Sequence, residues 1–368
     1  MDFELPAGLI ELRERVAAFV RDEVIPRERD ERPDVDALRD KARSAGVFVP
    51  HLRLDTIGMC VVFEQAGRSL LGPSALHCAA PDEGNMHLLS LFATPEQRTR
   101  FLDPLIEGKI SSCFAMTEPA PGAGSDPSMM LTRAERVDGG WEITGRKWFA
   151  TGASSAAFAV VMAKTGDDAT MFLVPATTPG FRLVRSIPTM GTHDITHDEI
   201  ELNRVRVGDD AVLGEVNDGF KLAQVRLGPA RLTHCMRWLG AAQRALEIAT
   251  ARAKEREAFG KPLAGHEAVQ WMIADSEIEM HASRLMTMHA AWKHDRGEDM
   301  RHEASMCKVF VSEAVNRVID RAIQICGALG ISADTPLEQF YREARAFRIY
   351  DGPSEVHRFV IARRVLKR

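Results

Sequence analysis

The chain has 368 residues, 45% of them apolar and 27% charged, and a formal net charge of −5 at pH 7. Such a length exceeds one simple core and predicts two or three domains. The composition is that of a soluble globular protein, and the acidic balance gives no footing for a nucleic-acid binder. No stretch approaches 18 consecutive apolar residues, so no membrane span is expected. The N-terminus "MDFELPAGLIELRERV" lacks the basic and apolar regions of a signal peptide. Cysteines at 60, 78, 113, 235, 307 and 326 form no C-x-x-C pair, so neither a zinc site nor a disulfide framework is expected. The expected compartment is the reducing cytoplasm.

Residues 1–112 read as helical. "LIELRERVAAFVRDEVI" repeats apolar residues every three or four positions, as one helix face requires. "ALRDKARSAGV" and "TIGMCVVFEQAGRSLL" follow. In "TPEQRTRFLDPLIEG", Thr94 suits an N-cap and Pro95 the first turn. His87 in "EGNMH" reads equally well as a pocket residue or an ordinary helix residue.

Residues 113–215 change period. "GWEITGRKWFATGA", "AAFAVVMA", "ATMFLVPA" and "HDEIELNRVRV" are short, rich in β-branched and aromatic residues, and bounded by Gly, Asp or Pro. No helix-length insert separates them, which predicts an antiparallel β domain. At its entrance, "CFAMTEPAPGAGSD" is rich in Gly and Pro. By itself it reads as a turn, or as a loop whose glycines let the backbone approach phosphate oxygens. It is no dinucleotide fingerprint, because Pro127 stands where the third glycine belongs. In "GRKWFATGA", Trp148 and Phe149 are neighbours in a strand and are expected on opposite faces. His193 and His197 have i,i+4 spacing but lie in strand or loop texture, so no metal site is expected. Cys307 has no evident histidine base.

Residues 216–368 return to long helices, predicting an antiparallel bundle. "REAFGKPL" follows the first of them, with Arg256 expected in the last helical turn and Gly260 and Pro262 as the stop. Near the end, "RIYDGPSEVHR" interrupts the helical pattern at Tyr350, Asp351 and Gly352, and Pro353 opens a last helix. Asp351 reads alone as a cap or as a carboxylate placed for chemistry.

In this order, "CFAMTEPAPGAGSD", "GRKWFATGA", "REAFGKPL" and "RIYDGPSEVHR" resemble the acyl-CoA dehydrogenase flavoprotein family across nearly the whole chain. The resemblance implies an α+β multidomain fold: an N-terminal helical domain (1–112), a middle antiparallel β domain (113–215) and a C-terminal four-helix bundle (216–368). It implies FAD as cofactor, an acyl-CoA substrate, electron-transferring flavoprotein as acceptor, a place in fatty-acid or lipid metabolism, and a homo-oligomer, usually a dimer of dimers, sharing its FAD sites. Phe114, Met116 and Thr117 would contact the flavin, with Thr117 and Thr151 hydrogen-bonding its ring edge and Phe149 lying against the ring. Gly124 and Ser125 would meet the pyrophosphate, and Ser125 also the acyl-CoA. Arg256, Phe259 and the turn from Gln324 through Gly327 to Ala328 would reach the FAD of a neighbouring subunit. Pro353 and Glu355 would also contact FAD, and Arg231, Tyr350 and Gly352 the substrate.

Asp351 falls at the family's catalytic glutamate and would remove the α-proton of the thioester while the β-hydrogen leaves as hydride. A subgroup of the family also reads D-G-P here. Some relatives place the base on the first C-terminal helix, where this chain has Ala230, which closes that alternative. Further departures are Glu267 and Ala328, at usual Gln and Gly positions, and a shortened segment after Pro50. Nitroalkane oxidases share the fold and use an aspartate base, so a flavin oxidase or monooxygenase remains an alternative, as does a non-catalytic subunit.

Overall fold

The computed structural model describes residues 4–191 and 196–367. His193 lies outside the described residues. Helices α1 (Ala7–Phe19), α2 (Val35–Ser44), α3 (Thr56–Ala66) and the short α4 (Gly72–Ala75) open the chain. Asp34 and Asp55 cap α2 and α3, accepting from the Ala37 and Gly58 amides and so satisfying donors that a helix start leaves orphaned. Then come α5 (Asp82–Phe92), which contains His87, α6 (Pro95–Gln97) and α7 (Asp103–Ile106). Thr94 caps α6 as expected, in a capping box with Gln97.

Strands follow: β1 (Ser112–Ala115), β2 (Arg133–Val137), β3 (Gly140–Thr151), β4 (Phe158–Thr165), β5 (Asp168–Pro175), β6 (Phe181–Ser186), β7 (His197–Val207) and β8 (Val212–Leu213). After them run α8 (Gly219–Glu255), a small ribbon of β9 (Glu257–Ala258) and β10 (Lys261–Pro262), α9 (Glu267–Asp295), α10 (Arg301–Cys326), α11 (Leu337–Phe347) and α12 (Ser354–Leu366). The expected order of helices, sheet and helices is therefore observed. No helix among the described residues is long and apolar enough to cross a membrane.

The chain forms two compact units, residues 1–78 with 228–368, and residues 79–227. The division falls inside α8. The helical unit holds a core of Val, Leu, Ala, Met and aromatic residues from α1–α3 and α8–α11, including Phe63, Leu239, Val315 and Phe347. Two glycines let α3 and α8 touch backbone to backbone. A Cβ on Gly240 would fall 2.0 Å from the Glu64 carbonyl oxygen, and one on Gly67 equally close to that of Arg237.

The β unit has an eight-stranded sheet of order β6-β7-β3-β2-β4-β5-β8, with β1 attached to β4. Its long pairings are antiparallel, but β1 runs parallel to β4, with Ser112 opposite Phe158. This corrects the purely antiparallel expectation. β2 and β3 lie between β1 and β4 in sequence, and that long connection is what a parallel pair needs.

Candidate active site

In the β unit, a buried ion pair fastens the loop after β1. Lys147 on β3 is fully buried, and its Nζ donates to the Met116 carbonyl and to Glu118 Oε1, both at 2.9 Å. Glu118 also accepts from the amides of Leu131 at 2.6 Å, Thr132 at 2.9 Å and Ala123 at 3.2 Å. Burial pushes the carboxyl up, but Lys147 and these amides hold it at about 2. Burial pushes Lys147 down to about 8, against the pull of Glu118. Both groups remain charged at neutral pH: pairing and the amides outweigh burial at Glu118, whereas burial outweighs pairing at Lys147. The Trp148 amide donates to the Thr117 carbonyl at 3.0 Å. Together these bonds set Phe114, Met116 and Thr117 beside β3, half-buried. Arg226 braces Phe114 from behind, its guanidinium 4.1 Å from the ring centroid and bonded to Asn85.

The two loop glycines differ. A Cβ at Gly122 would lie 2.4 Å from Glu118 Oε2, so that glycine admits the chain's own carboxylate and no ligand. Gly124 has nothing within 4 Å of such a Cβ, and Ser125 beside it is exposed. The expectation for Trp148 and Phe149 is overturned. A register shift between Lys147 and Ala150 puts Phe149 at φ +49°. The bulge breaks the two-residue alternation, and the two rings meet edge to face at 5.1 Å. Phe149 stays 43% exposed, while the buried Trp148 Nε1 has no partner among the described residues. Thr151 Oγ1 lies 3.0 Å from His197 Nδ1. An exposed ring, an unpaired buried donor and an open glycine fit a planar heteroaromatic ligand carrying phosphates.

In the helical unit, α11 ends at Phe347 and residues 348–352 turn into α12. Fully buried Lys308 on α10 donates to the Phe347 carbonyl and lies 3.4 Å from that of Gly352. A cation there complements the negative end of α11. Burial pushes its ammonium down to about 8. Asp351 sits at φ +54°, in the left-handed region. Its main-chain carbonyl accepts from Arg231 Nε and His357 Nε2, each at 3.1 Å. A carbonyl only accepts, so Nε2 of His357 carries the proton and Nδ1 accepts from Ser305 Oγ at 3.2 Å. Burial, helped by Arg231, lowers His357 to about 4 and keeps it neutral. Gly352, at φ +100°, must be glycine, because a Cβ would lie 2.6 Å from His357 Nε2.

The Asp351 carboxylate meets His234 of α8, with Oδ2 3.2 Å from Nε2. Arg237 Nη2 donates to His234 Nδ1 at 2.8 Å, and Trp238 Nε1 to the Tyr350 hydroxyl at 2.6 Å. Burial pushes that phenol up to about 12, so it stays neutral. The structure thus brings Arg231, Tyr350, Asp351 and Gly352 together. Pro353 directly precedes α12, and Glu355 is exposed in its first turn.

Arg256, Phe259, Gln324, Gly327 and Ala328 are exposed, and no described contact joins them to this cluster. α8 ends at Glu255, so Arg256 follows the last turn. Gly260 and Pro262 are not a helix stop but belong to the β9–β10 hairpin. Its tip is Phe259 and Gly260, both at positive φ, the pairing a tight hairpin turn demands.

Sequence reasoning missed His234, Arg237, Trp238, Lys308, His357, Glu118, Lys147, Trp148 Nε1 and Arg226. For His234 and Trp238 a signal existed: with Arg231 they recur every three to four residues, on one face of a helix. Lys308 and His357 carry no such signal.

Fold and site define a class of helix–sheet–helix enzyme in which a carboxylate on a pinned main chain lies in the turn before the last helix. Models of the acyl-CoA dehydrogenase N-terminal, middle and C-terminal domains match residues 9–109, 113–205 and 217–366. The chain belongs to the acyl-CoA dehydrogenase family. It is 41% identical over 398 residues to "Probable acyl-CoA dehydrogenase FadE2" of Mycobacterium tuberculosis, covering 100% of this chain and 98% of that protein. It is also 41% identical over 350 residues to acyl-CoA dehydrogenase family member 11 of Gallus gallus, covering 90% of this chain but 45% of that protein, so it spans about half of that relative's length. Among solved structures, butyryl-CoA dehydrogenase from Megasphaera elsdenii superposes with a TM-score of 0.88 at 28% identity, covering 100% of each chain. The FAD complex of PigA superposes with a TM-score of 0.91 at 25% identity, covering 99% of each.

Proposed function

We propose that the chain is a FAD-dependent dehydrogenase that converts an acyl-CoA thioester to its trans-2-enoyl-CoA, with Asp351 removing the α-proton. The observation that carries this is the Asp351 carboxylate, on a main chain held in the left-handed conformation by Arg231 and His357. Bound FAD would supply the hydride acceptor. Phe114, Met116, Thr117, Gly124, Ser125, Phe149 and Thr151 would hold it, with Trp148 Nε1 as a further donor. The FAD complex of PigA and the donor set of the β unit support that cofactor. Asp351 would take the proton, and its own N–H would donate to the thioester carbonyl as negative charge develops there. Tyr350, Gly352 and Arg231 would line the substrate. Arg256, Phe259, Gln324, Gly327 and Ala328 would serve a neighbouring copy's cofactor in a homo-oligomer, and Pro353 and Glu355 would complete the cofactor site. Electron-transferring flavoprotein would take the electrons, and the cytoplasm would be the setting.

Anaerobic addition of an acyl-CoA panel tests the reading: a matching chain length bleaches the flavin, and no bleaching by any member refutes it. The Asp351→Asn variant should retain FAD and ligand but bleach about 10²–10⁴-fold more slowly. Unchanged bleaching would remove Asp351 from the mechanism. An aspartate at this position also favours a second reading, a flavin oxidase. Peroxide formation in air, without electron-transferring flavoprotein, would select it.

A further inference from the structure

We propose that His234 is a positioning residue for Asp351: Arg237 fixes its ring as the Nε2–H tautomer, and that N–H orients the short carboxylate side chain. The inference rests on the reading of Asp351 as the base.

A guanidinium only donates. With Arg237 Nη2 2.8 Å from His234 Nδ1, that nitrogen must offer its lone pair. The ring proton of the neutral imidazole then sits on Nε2, the atom 3.2 Å from Asp351 Oδ2. A second proton on Nδ1 would set N–H against N–H. The Asp351 carboxylate beside Nε2 favours a second ring proton, but the nitrogen left to take it is Nδ1, which faces the Arg237 guanidinium. His234 is therefore a neutral donor. Nε2–H lies off the direct line to Oδ2, and catalytic contacts of this kind tighten as a ligand closes the site.

Spacing along α8 matches this role. Arg231, His234 and Trp238 lie on one face of successive turns. Arg231 takes the Asp351 carbonyl, His234 its carboxylate, and Trp238 the hydroxyl of Tyr350. Aspartate is one C–C bond shorter than glutamate, about 1.5 Å, and a misplacement of about 1 Å can cost about 10²-fold in rate. A base with so little reach needs its carboxylate fixed from outside, and one rigid helix fixes both main chain and side chain.

The test uses FAD-loaded protein and the acyl-CoA that bleaches it, α-deuterated and unlabelled. His234→Ala should slow anaerobic flavin reduction about 10–10²-fold, keep an α-deuterium isotope effect, and leave ligand affinity within about twofold. FAD content should not change, and the melting temperature should fall as expected for a buried truncation while leaving the protein folded at the assay temperature. His234→Gln, whose terminal amide donates from the place of Nε2, should recover most of the rate. Arg237→Met should slow reduction in the wild-type background but add little to His234→Gln, because a residue acting through another is non-additive with it. Nitrogen-15 NMR of histidine-labelled protein, read without substrate, should show a bare Nδ1 at His234 and a mixture of tautomers in Arg237→Met. A wild-type rate in His234→Ala, no rescue by Gln, additivity of the pair, or a protonated Nδ1 would each overturn the proposal. If Asp351→Asn itself reduces flavin normally, the base assignment falls and this inference with it. If Asp351→Asn is inactive while His234→Ala is not, only the positioning role falls.

Discussion

At the scale of single residues, the turn that carries Asp351 is held by buried groups whose protonation is set by their surroundings. His357 titrates at about 4 rather than 6.5. Its folded value lies below its unfolded one, so the unfolded chain takes up the proton first as pH falls. The stability it contributes is present above 6.5 and is lost between 6.5 and 4. Glu118, held at about 2 instead of 4.5, acts with the same sign lower down, losing its contribution from 4.5 towards 2. Urea melts from about pH 7 to pH 4 should show falling midpoints. In His357→Gln, which keeps a donor for the Asp351 carbonyl, the drop between 6.5 and 4 should flatten. An unchanged slope would locate the acid sensitivity elsewhere. Asp351 was legible as a candidate because it interrupts a helical pattern. His357 was not, because nothing in "SEVHR" says which face of α12 is buried.

Elements set the next level of constraint. The loop after β1 carries Phe114, Met116 and Thr117, and its anchor is a side chain of another strand, Lys147 on β3. Lys147→Met removes one partner of a buried pair and leaves the Glu118 carboxylate uncompensated. The expected cost is about 3–5 kcal/mol in a denaturation experiment. Loss of yellow colour at matched folding would show that the loop no longer holds its ligand. The strand pattern of "GRKWFATGA" was plain in the sequence, but the bulge at Phe149 was not. A bulge is decided by the pairing of β3 with β7, a partner far along the chain. In the same way, "REAFGKPL" read as a helix stop, whereas Phe259 and Gly260 at positive φ make it a hairpin tip. Phe259 is 98% exposed there, which suits a contact with a second copy.

At the scale of the whole molecule, α9 presents Trp271, Ile278, Leu285 and Trp292, each exposed and seven residues from the next. That spacing keeps one apolar stripe along a helix, and a contiguous stripe of this kind favours association. Replacing Trp271 and Ile278 together by Glu should shift the protein to smaller species in sedimentation velocity and weaken FAD retention, because under the proposed function the exposed Arg256 and Phe259 serve a neighbouring copy's cofactor. A variant with unchanged sedimentation would place the interface on another face.

By itself the sequence determined the order of helices, sheet and helices, the β-strand texture of the middle region, and the break at residues 350–352 that leaves Asp351 as a cap or a carboxylate placed for chemistry. These follow from local periodicity, composition and turn chemistry, which act over a few residues. Tertiary structure decided which buried groups surround that carboxylate. Arg231, His234 and Arg237 on α8, Lys308 on α10 and His357 on α12 meet around residues 347–352 only after the helices pack. It also decided that Gly122 makes room for Glu118 while Gly124 stays open. Burial, partner and tautomer are properties of a packed neighbourhood, and no local pattern carries them.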